Sequence, residues 1–148
     1  GIPNNLMPYV TKVAKGELKE LSIFGNDYDT PDGTCIRDYI HIEDLISAHI
    51  LAMKKLEKDN SSNYYNLGSG KGFSVLEMIQ AAREVTEHEI PLIISKRRSG
   101  DPARLIASSK KAEKELGWGK KYTDVKDIIA SAWKFHQLHK DGFKNEDQ

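Results

Sequence analysis

Residues 33–45 read GTCIRDYIHIEDL, a stretch in which a glycine turn leads into a strand and the strand leads directly into a helix. The pattern predicts a strand over residues 35–42, whose side chains alternate between two faces. Arg37 therefore shares one face with Tyr39 and His41. An arginine held on a strand whose other face packs into a core requires an anionic partner. That opposite, core-directed face carries Asp38, Ile40 and Ile42.

The partner of Arg37 is either a carboxylate of the chain itself or an external anion such as phosphate. A second cationic segment, RRSGD at residues 97–101, favours the external anion. Guanidinium groups suit phosphate oxygens and a carboxylate suits ribose hydroxyls, so this loop could serve a nucleoside diphosphate. A solvated charged loop would show the same residues. Asn5, at the start of a predicted helix, offers an amide either to such a ligand or to helix capping.

Helical and strand patterns alternate along the chain, which predicts a small mixed α/β lobe. The predicted strands cover residues 21–24, 35–42, 63–67 and 91–95. The predicted helices cover residues 6–15, 43–56, 74–85, 109–116 and 124–139. We expect one unit over residues 1–141, followed by a polar and flexible tail over residues 142–148.

The balance of charge argues against two classes of partner. Lysine plus arginine and aspartate plus glutamate each number 22, so no net field draws the chain to nucleic acid or to an anionic membrane. Cys35 is the only cysteine, which excludes an internal disulfide and favours a reducing, cytoplasmic location. No apolar run approaches the roughly 20 residues of a membrane span. The chain begins without methionine, so we expect a fragment or a processed chain.

Two motif-like patterns carry less weight. The run GSGKG at residues 68–72 lies between a predicted strand and a predicted helix, as a dinucleotide-binding loop does. Phe73 replaces the third glycine of that motif, which favours a simple strand-to-helix turn. Tyr122 and Lys126 match the tyrosine and lysine spacing of short-chain dehydrogenases, but two fixed residues match easily by chance.

Several motifs occur here in a specific order: NNLMPY, IFGNDYDT, RDYIHIEDL, YNLGSG, RRSGD and SSKKAEKELGW. Over residues 1 to about 142, this order and spacing resembles the C-terminal part of the UDP-glucose 4-epimerase family. That family belongs to the extended short-chain dehydrogenase/reductase superfamily. RDYIH and YNLG occur more widely in sugar-nucleotide enzymes, whereas NNLMPY and FGNDYDT narrow the resemblance to the epimerase. The resemblance implies the substrate-binding lobe of such an enzyme, without most of its Rossmann domain.

The resemblance also implies which residues hold a UDP-sugar. In the family's pattern, Arg37 and Arg98 match the two arginines on the diphosphate, and Asp101 matches the carboxylate on the uridine ribose. Leu105 matches a position beside the sugar's 2-substituent, where a small residue would admit N-acetylated sugars. The remaining matches are Asn5 and Leu6 near the diphosphate, and Ser22, Ile23 and Phe24 along the uracil.

What the chain lacks follows from the same resemblance. In the family, the glycine-rich NAD loop and the catalytic tyrosine and lysine lie in the N-terminal half. We therefore expect no catalytic residue and no cofactor or metal site here, and no epimerase activity from this chain alone. Helix 43–56 and strand 63–67 would pack on the absent NAD domain and leave apolar surface exposed without it. The whole enzyme would act on UDP-glucose and UDP-galactose in galactose metabolism, as a homodimer.

Two alternatives remain at this point. The first is another extended short-chain enzyme, such as a sugar-nucleotide dehydratase or decarboxylase, which the missing half would identify. The second is a nucleotide-binding or interaction module that functions without a Rossmann partner.

Overall fold

The computed structural model describes residues 5–139, which form five helices and five short strands. Within this range, no helix is long and apolar enough to cross a membrane. The helices are α1 (Leu6–Ala14), α2 (Ile42–Asp59), α3 (Val75–Thr86), α4 (Lys110–Leu116) and α5 (Val125–Leu138). The strands are β1 (Leu21–Phe24), β2 (Ile36–Arg37), β3 (Phe73–Ser74), β4 (Leu92–Ser95) and β5 (Arg104–Leu105).

The strands form two small sheets. In the first, β1 and β4 run parallel, and Phe24 pairs with Ser95 at their carboxyl ends. In the second, β2 is the central strand, antiparallel to β3 and parallel to β5. Because parallel strands end at the same edge of a sheet, residues that follow β1 and β4 emerge side by side. The predicted mixed α/β class is confirmed.

The main core lies between β1 and helices α1, α3 and α5. Helix α3 begins with a capping box, in which the Ser74 hydroxyl accepts from the Glu77 N–H and the Glu77 carboxylate accepts from the Ser74 N–H. This reciprocal pair satisfies two backbone donors that the first turn would otherwise leave unpaired. The buried residues of the main core are Val10, Val13, Leu21, Ile23, Met78, Ile79, Ala81, Ala82, Ile90 and Ile129.

A second, smaller cluster joins α2 to α4 through Ala48, Ala112 and Trp118. The indole N–H of Trp118 donates to the backbone oxygen of Asp44 at 2.9 Å. The buried Asp44 carboxylate accepts hydrogen bonds from two backbone N–H groups, that of Lys121 at 2.9 Å and that of Tyr122 at 3.1 Å. Helix α2 is thus fixed at its first turn to the segment that follows α4.

The Asp38 carboxylate connects three separate segments next to the predicted anion site. One of its oxygens accepts from the Ser69 N–H at 2.8 Å and from the Ser69 hydroxyl, and the other accepts from the Ala107 N–H. Asp38 therefore holds the glycine loop at residues 68–72 and the chain after β5 against the end of β2. The prediction that Asp38 faces away from Arg37, into the structure, agrees with these contacts.

Three expectations for the stretch after Gly33 were wrong. The strand predicted over residues 35–42 is only Ile36–Arg37, because side-chain bonds of Asp38 replace the backbone ladder beyond it. Ile42, predicted to face the core, is 59% exposed and begins α2. His41, predicted to lie in the strand on the same face as Arg37, is instead the N-cap of that helix. Its Nδ1 accepts a hydrogen bond from the Glu43 N–H at 3.1 Å.

One other predicted boundary differs, and one predicted strand does not form. The helix predicted over residues 43–56 extends over Ile42–Asp59 and ends where Asn60 adopts a left-handed conformation. Residues 63–67, predicted as a strand, have no strand partner within the described part of the chain. A strand is stable only when a neighbouring strand accepts its backbone hydrogen bonds. The tail predicted over residues 142–148 lies outside the described residues.

We expect the Asp38→Ala substitution to lower the free energy of unfolding by about 2–4 kcal/mol, because it leaves the N–H groups of Ser69 and Ala107 without an acceptor. Urea titration followed by circular dichroism measures the change. Asp29→Ala, which removes an exposed carboxylate from the 25–34 loop, is the matched control. A loss for Asp38→Ala no larger than for the control would contradict the role of this carboxylate.

Candidate functional site

Arg37 lies at the end of β2 and is partly accessible. One guanidinium nitrogen donates to the Ile36 backbone oxygen at 2.9 Å. The other terminal nitrogen lies 3.6 Å from an Asp101 carboxylate oxygen, with 21% of the Arg37 side chain and 39% of the Asp101 side chain exposed. Arg37 therefore has a carboxylate of the chain itself, that of Asp101, as a neighbour. This is one of the two kinds of partner that the sequence allows for Arg37. The ion pair is loose, however, and leaves guanidinium donors available to a second anion.

Asp101 ends a tight turn that carries the second arginine. Its backbone N–H donates to the Arg98 backbone oxygen at 3.4 Å, and Gly100 within the turn has a φ of +84°. That conformation favours glycine. The turn links Arg98 to Asp101, and Asp101 in turn lies beside Arg37. Leu105 on β5 is the register partner of Arg37 and is 62% exposed.

Arg98 contacts an aromatic ring on the neighbouring strand. Its guanidinium carbon lies 3.8 Å from the centroid of the Phe24 ring, which is a cation–π distance. Phe24 ends β1, and Arg98 follows β4 by three residues. Parallel pairing of these two strands brings the ring and the guanidinium group together.

The adjacent Arg97 makes a different set of contacts. Its Nε donates to an Asp27 carboxylate oxygen at 2.6 Å, and one terminal nitrogen donates to the Asp27 backbone oxygen. The guanidinium carbon lies 4.1 Å from the centroid of the Tyr28 ring. The hydrogen bond from Arg97 lowers the pKa of Asp27, and the same bond raises the pKa of Arg97.

The other predicted binding residues lie on α1 and β1. Asn5 is the exposed N-cap of α1, but its side chain makes no capping bond. The half-buried Leu6 packs against the main core. Ser22 is half-buried, whereas the Ile23 side chain is 2% exposed and belongs to the core. Only the backbone of Ile23 could therefore line a ligand site.

The two motif-like patterns have structural roles here. The N–H groups of Lys71 and Gly72 both donate to the Ser69 hydroxyl, so they do not form an open cradle for a pyrophosphate. The Tyr122 hydroxyl donates to Glu43 at 2.9 Å, and the Lys126 amine pairs with Glu84 at 2.6 Å. Neither the loop at residues 68–72 nor the Tyr122 and Lys126 pair is therefore arranged as its motif requires. Nor do the described residues contain a cluster of potential metal ligands.

Sequence reasoning missed the roles of Asp27 and Tyr28. The sequence pattern offers both Arg97 and Arg98 as phosphate-binding candidates, but Arg97 is bound to the 25–34 loop. A signal was present, since adjacent residues of an extended segment point to opposite sides. Two neighbouring arginines after a strand are therefore expected to serve different partners.

The site combines two guanidinium groups, a carboxylate and an aromatic ring at the ends of neighbouring strands. Such a set suits a ligand with a diphosphate, ribose hydroxyls and a flat base. The fold defines a class: it is a small mixed α/β structure that matches the C-terminal portion of epimerases of the short-chain dehydrogenase/reductase type. The chain belongs to the family whose model, described as GDP-mannose 4,6 dehydratase, matches residues 1–131.

Individual relatives agree with the expected resemblance. A UDP-glucose 4-epimerase of Halalkalibacterium halodurans is 51% identical over 145 residues, which cover 98% of this chain and 43% of the relative. A solved structure of a UDP-glucose 4-epimerase has a TM-score of 0.92 and 53% identity, with 97% of this chain and 44% of that chain covered.

A second solved structure is the UDP-glucose 4-epimerase of Bifidobacterium longum in complex with NAD⁺ and UDP, with a TM-score of 0.85 and 47% identity. The alignment covers 97% of this chain and 42% of that epimerase chain. The chain thus spans less than half the length of the relatives that it matches.

We expect the Asp101→Asn substitution to tighten the binding of inorganic pyrophosphate by about threefold, because the carboxylate competes with an anion for Arg37 through a loose, partly accessible and therefore weak ion pair. Calorimetric titration at low ionic strength measures the affinity. Asp29→Asn removes an equal charge from an exposed position of the 25–34 loop and is the control. Unchanged or weaker binding by Asp101→Asn would show that this carboxylate does not compete.

Proposed function

We propose that this chain is the UDP-sugar-binding portion of a UDP-glucose 4-epimerase, which interconverts UDP-galactose and UDP-glucose. The observation that carries the proposal is the convergence of Arg37, Arg98, Asp101 and Phe24 at neighbouring strand ends. The similarity to epimerases over nearly the whole chain supports it independently.

Each part of the site has a distinct role in this proposal. Arg37 and Arg98 neutralise the diphosphate, because guanidinium donors match the spacing of phosphate oxygens. Asp101 accepts hydrogen bonds from the uridine ribose. The β1 segment 22–24 lies along the uracil through the Phe24 ring and the backbone of Ile23. Asn5 and Leu6 approach the diphosphate from the start of α1.

The chemistry belongs to the part of the protein beyond this chain. In the whole protein, NAD held by the part beyond this chain would supply the hydride-transfer chemistry for epimerisation at C4 of the sugar. The loop at residues 68–72 is closed by Ser69, and Tyr122 and Lys126 are each paired with a glutamate. We therefore propose that this chain binds the nucleotide and does not catalyse epimerisation alone. The whole protein acts in galactose metabolism as a cytoplasmic homodimer in this proposal.

Helix α2 provides support for a missing domain. Its buried side packs against α4 through Ala48, but a second apolar face is exposed. Residues three or four apart lie on the same side of a helix, so these side chains form one continuous stripe. The stripe consists of Ile42 (59% exposed), Ile46 (50%), Ile50 (48%), Met53 (61%) and Leu56 (52%).

We propose that this α2 stripe, together with residues 63–67, packs on the NAD domain of the whole protein. Contiguous apolar patches larger than a few hundred Å² mark interaction surfaces in soluble proteins. Tyr64 is 79% exposed, and residues 63–67 have no strand partner in the described range, so both features suit a segment that completes a sheet elsewhere.

Leu105 bears on the choice of sugar. It lies opposite Arg37 in the β2–β5 register and is largely exposed. A leucine is smaller than tyrosine, and it leaves more room beside the sugar. We propose that the whole enzyme also accepts N-acetylated UDP-sugars.

Calorimetric titration with UDP tests the binding role. We expect the chain to bind UDP, and we expect Arg98→Ala to weaken that binding by about 2 kcal/mol, the range for one lost charged hydrogen bond. Arg104→Ala is the matched control, since Arg104 is an exposed arginine on the nearby β5. A folded wild-type chain that does not bind UDP, or an equal loss in the control, would refute the proposal.

Analytical ultracentrifugation tests the α2 stripe. We expect the chain to self-associate with increasing concentration, and we expect the double variant Ile46→Gln, Ile50→Gln to remain monomeric because it interrupts the apolar face. Glutamine keeps the helix propensity high. The control, Lys54→Gln with Lys58→Gln, changes two exposed polar residues at the edge of the stripe, leaves its apolar side chains in place and should associate like the wild type. A monomeric wild-type chain at all concentrations would argue against an interaction surface.

A further inference from the structure

The contacts of Arg97 point to a role in positioning its neighbour. We propose that Arg97 is a positioning residue that fixes the direction of Arg98 toward the diphosphate by attaching the chain after β4 to the 25–34 loop. The inference rests on the proposed function, because it assigns the diphosphate to Arg98.

Arg97 is attached to the loop at more than one point. Nε donates to the Asp27 carboxylate at 2.6 Å, a terminal nitrogen donates to the Asp27 backbone oxygen, and the guanidinium carbon lies over the Tyr28 ring, 4.1 Å from its centroid. A guanidinium group with two directed hydrogen bonds and one stacking contact has little rotational freedom. The backbone at residue 97 is therefore held in a defined position.

The surface that receives Arg97 is itself well fixed. Tyr28 is 7% exposed, and its backbone N–H donates to the Gly33 oxygen at 2.9 Å. Asp32 accepts from the N–H and the hydroxyl of Thr34 and from the hydroxyl of Ser74, which anchors the end of the loop to the start of α3. The loop can therefore serve as a rigid support.

Gly25 shows how closely the two segments approach. It has a φ of +88°, and a Cβ at this position would lie 2.7 Å from both the Arg97 Cγ and the Tyr28 Cε2. Only glycine accommodates both the conformation and the close contact. Its N–H donates to the Ser95 oxygen at 2.9 Å, so the β1–β4 pairing continues to within two residues of Arg97.

Two observations separate Arg97 from the ligand-binding groups. Its hydrogen bonds are directed to Asp27, whereas Arg98 lies over the Phe24 ring. The Arg97–Asp27 pair is also exposed, with 45% and 71% of the two side chains accessible, so it adds little to the stability of the fold. What the pair provides is a fixed geometry for the residue that follows.

A double-mutant cycle on the chain tests this role, with Arg97→Ala, Arg98→Ala and the combined variant titrated with UDP and with uridine. We expect Arg97→Ala to weaken UDP binding about three- to tenfold in the wild-type background and less than about twofold when Arg98 is already alanine, because positioned neighbours are coupled. Uridine, which has no phosphate, should bind equally to the wild type and to Arg97→Ala. Asp27→Asn should reproduce part of the loss of UDP affinity, and Arg104→Ala should not.

The possible outcomes are distinguishable. Additive losses in the double variant would mean that Arg97 contacts the nucleotide itself, and they would overturn the positioning role. Unchanged UDP affinity in Arg97→Ala would also overturn it, while leaving the proposed function intact. If Arg97→Ala lowered the melting temperature and weakened uridine binding as much as it weakened UDP binding, the residue would be structural only. No effect of Arg98→Ala on UDP binding would instead refute the proposed role of Arg98.

Discussion

The geometry of the site depends on the hydrogen bonds that the Asp38 carboxylate accepts from two other segments. Strand β2 is only two residues long, so backbone pairing alone cannot hold Arg37 in place. Asp38, the next residue, accepts from Ser69 and from Ala107, which lie before β3 and after β5. Both neighbours of β2 are thereby attached to it, and the direction of Arg37 follows from that attachment.

Two parallel strand pairs deliver the remaining groups to one region. Phe24 ends β1, Arg98 follows its parallel neighbour β4, and Leu105 pairs with Arg37 across the parallel strands β2 and β5. Ligands of α/β proteins bind beyond the carboxyl ends of parallel strands, because the chain there leaves the sheet and can present side chains. The turn from Arg98 to Asp101 follows β4 of the first sheet and places Asp101 beside Arg37 on β2 of the second sheet.

The sequence predicts local features of this molecule better than features that need a distant partner. The capping box at Ser74 and the helices were predictable because their signals lie within a few residues. The strand at residues 63–67 did not form, because no partner strand lies within the described chain. The attachment of Arg97 to Asp27 joins positions 70 residues apart, and no local pattern encodes such a contact.

The site and the α2 stripe are parts of one continuous segment. Only a few residues separate Arg37 from Ile42, and within them Asp38 binds the glycine loop while His41 caps α2. Asp44, in the first turn of the helix, is fixed by the backbone of Lys121 and Tyr122. A surface that covers the α2 stripe would bind only the folded helix and would stabilise it by mass action. Because the helix start and the end of β2 share this segment, covering the stripe would also restrict the position of Arg37.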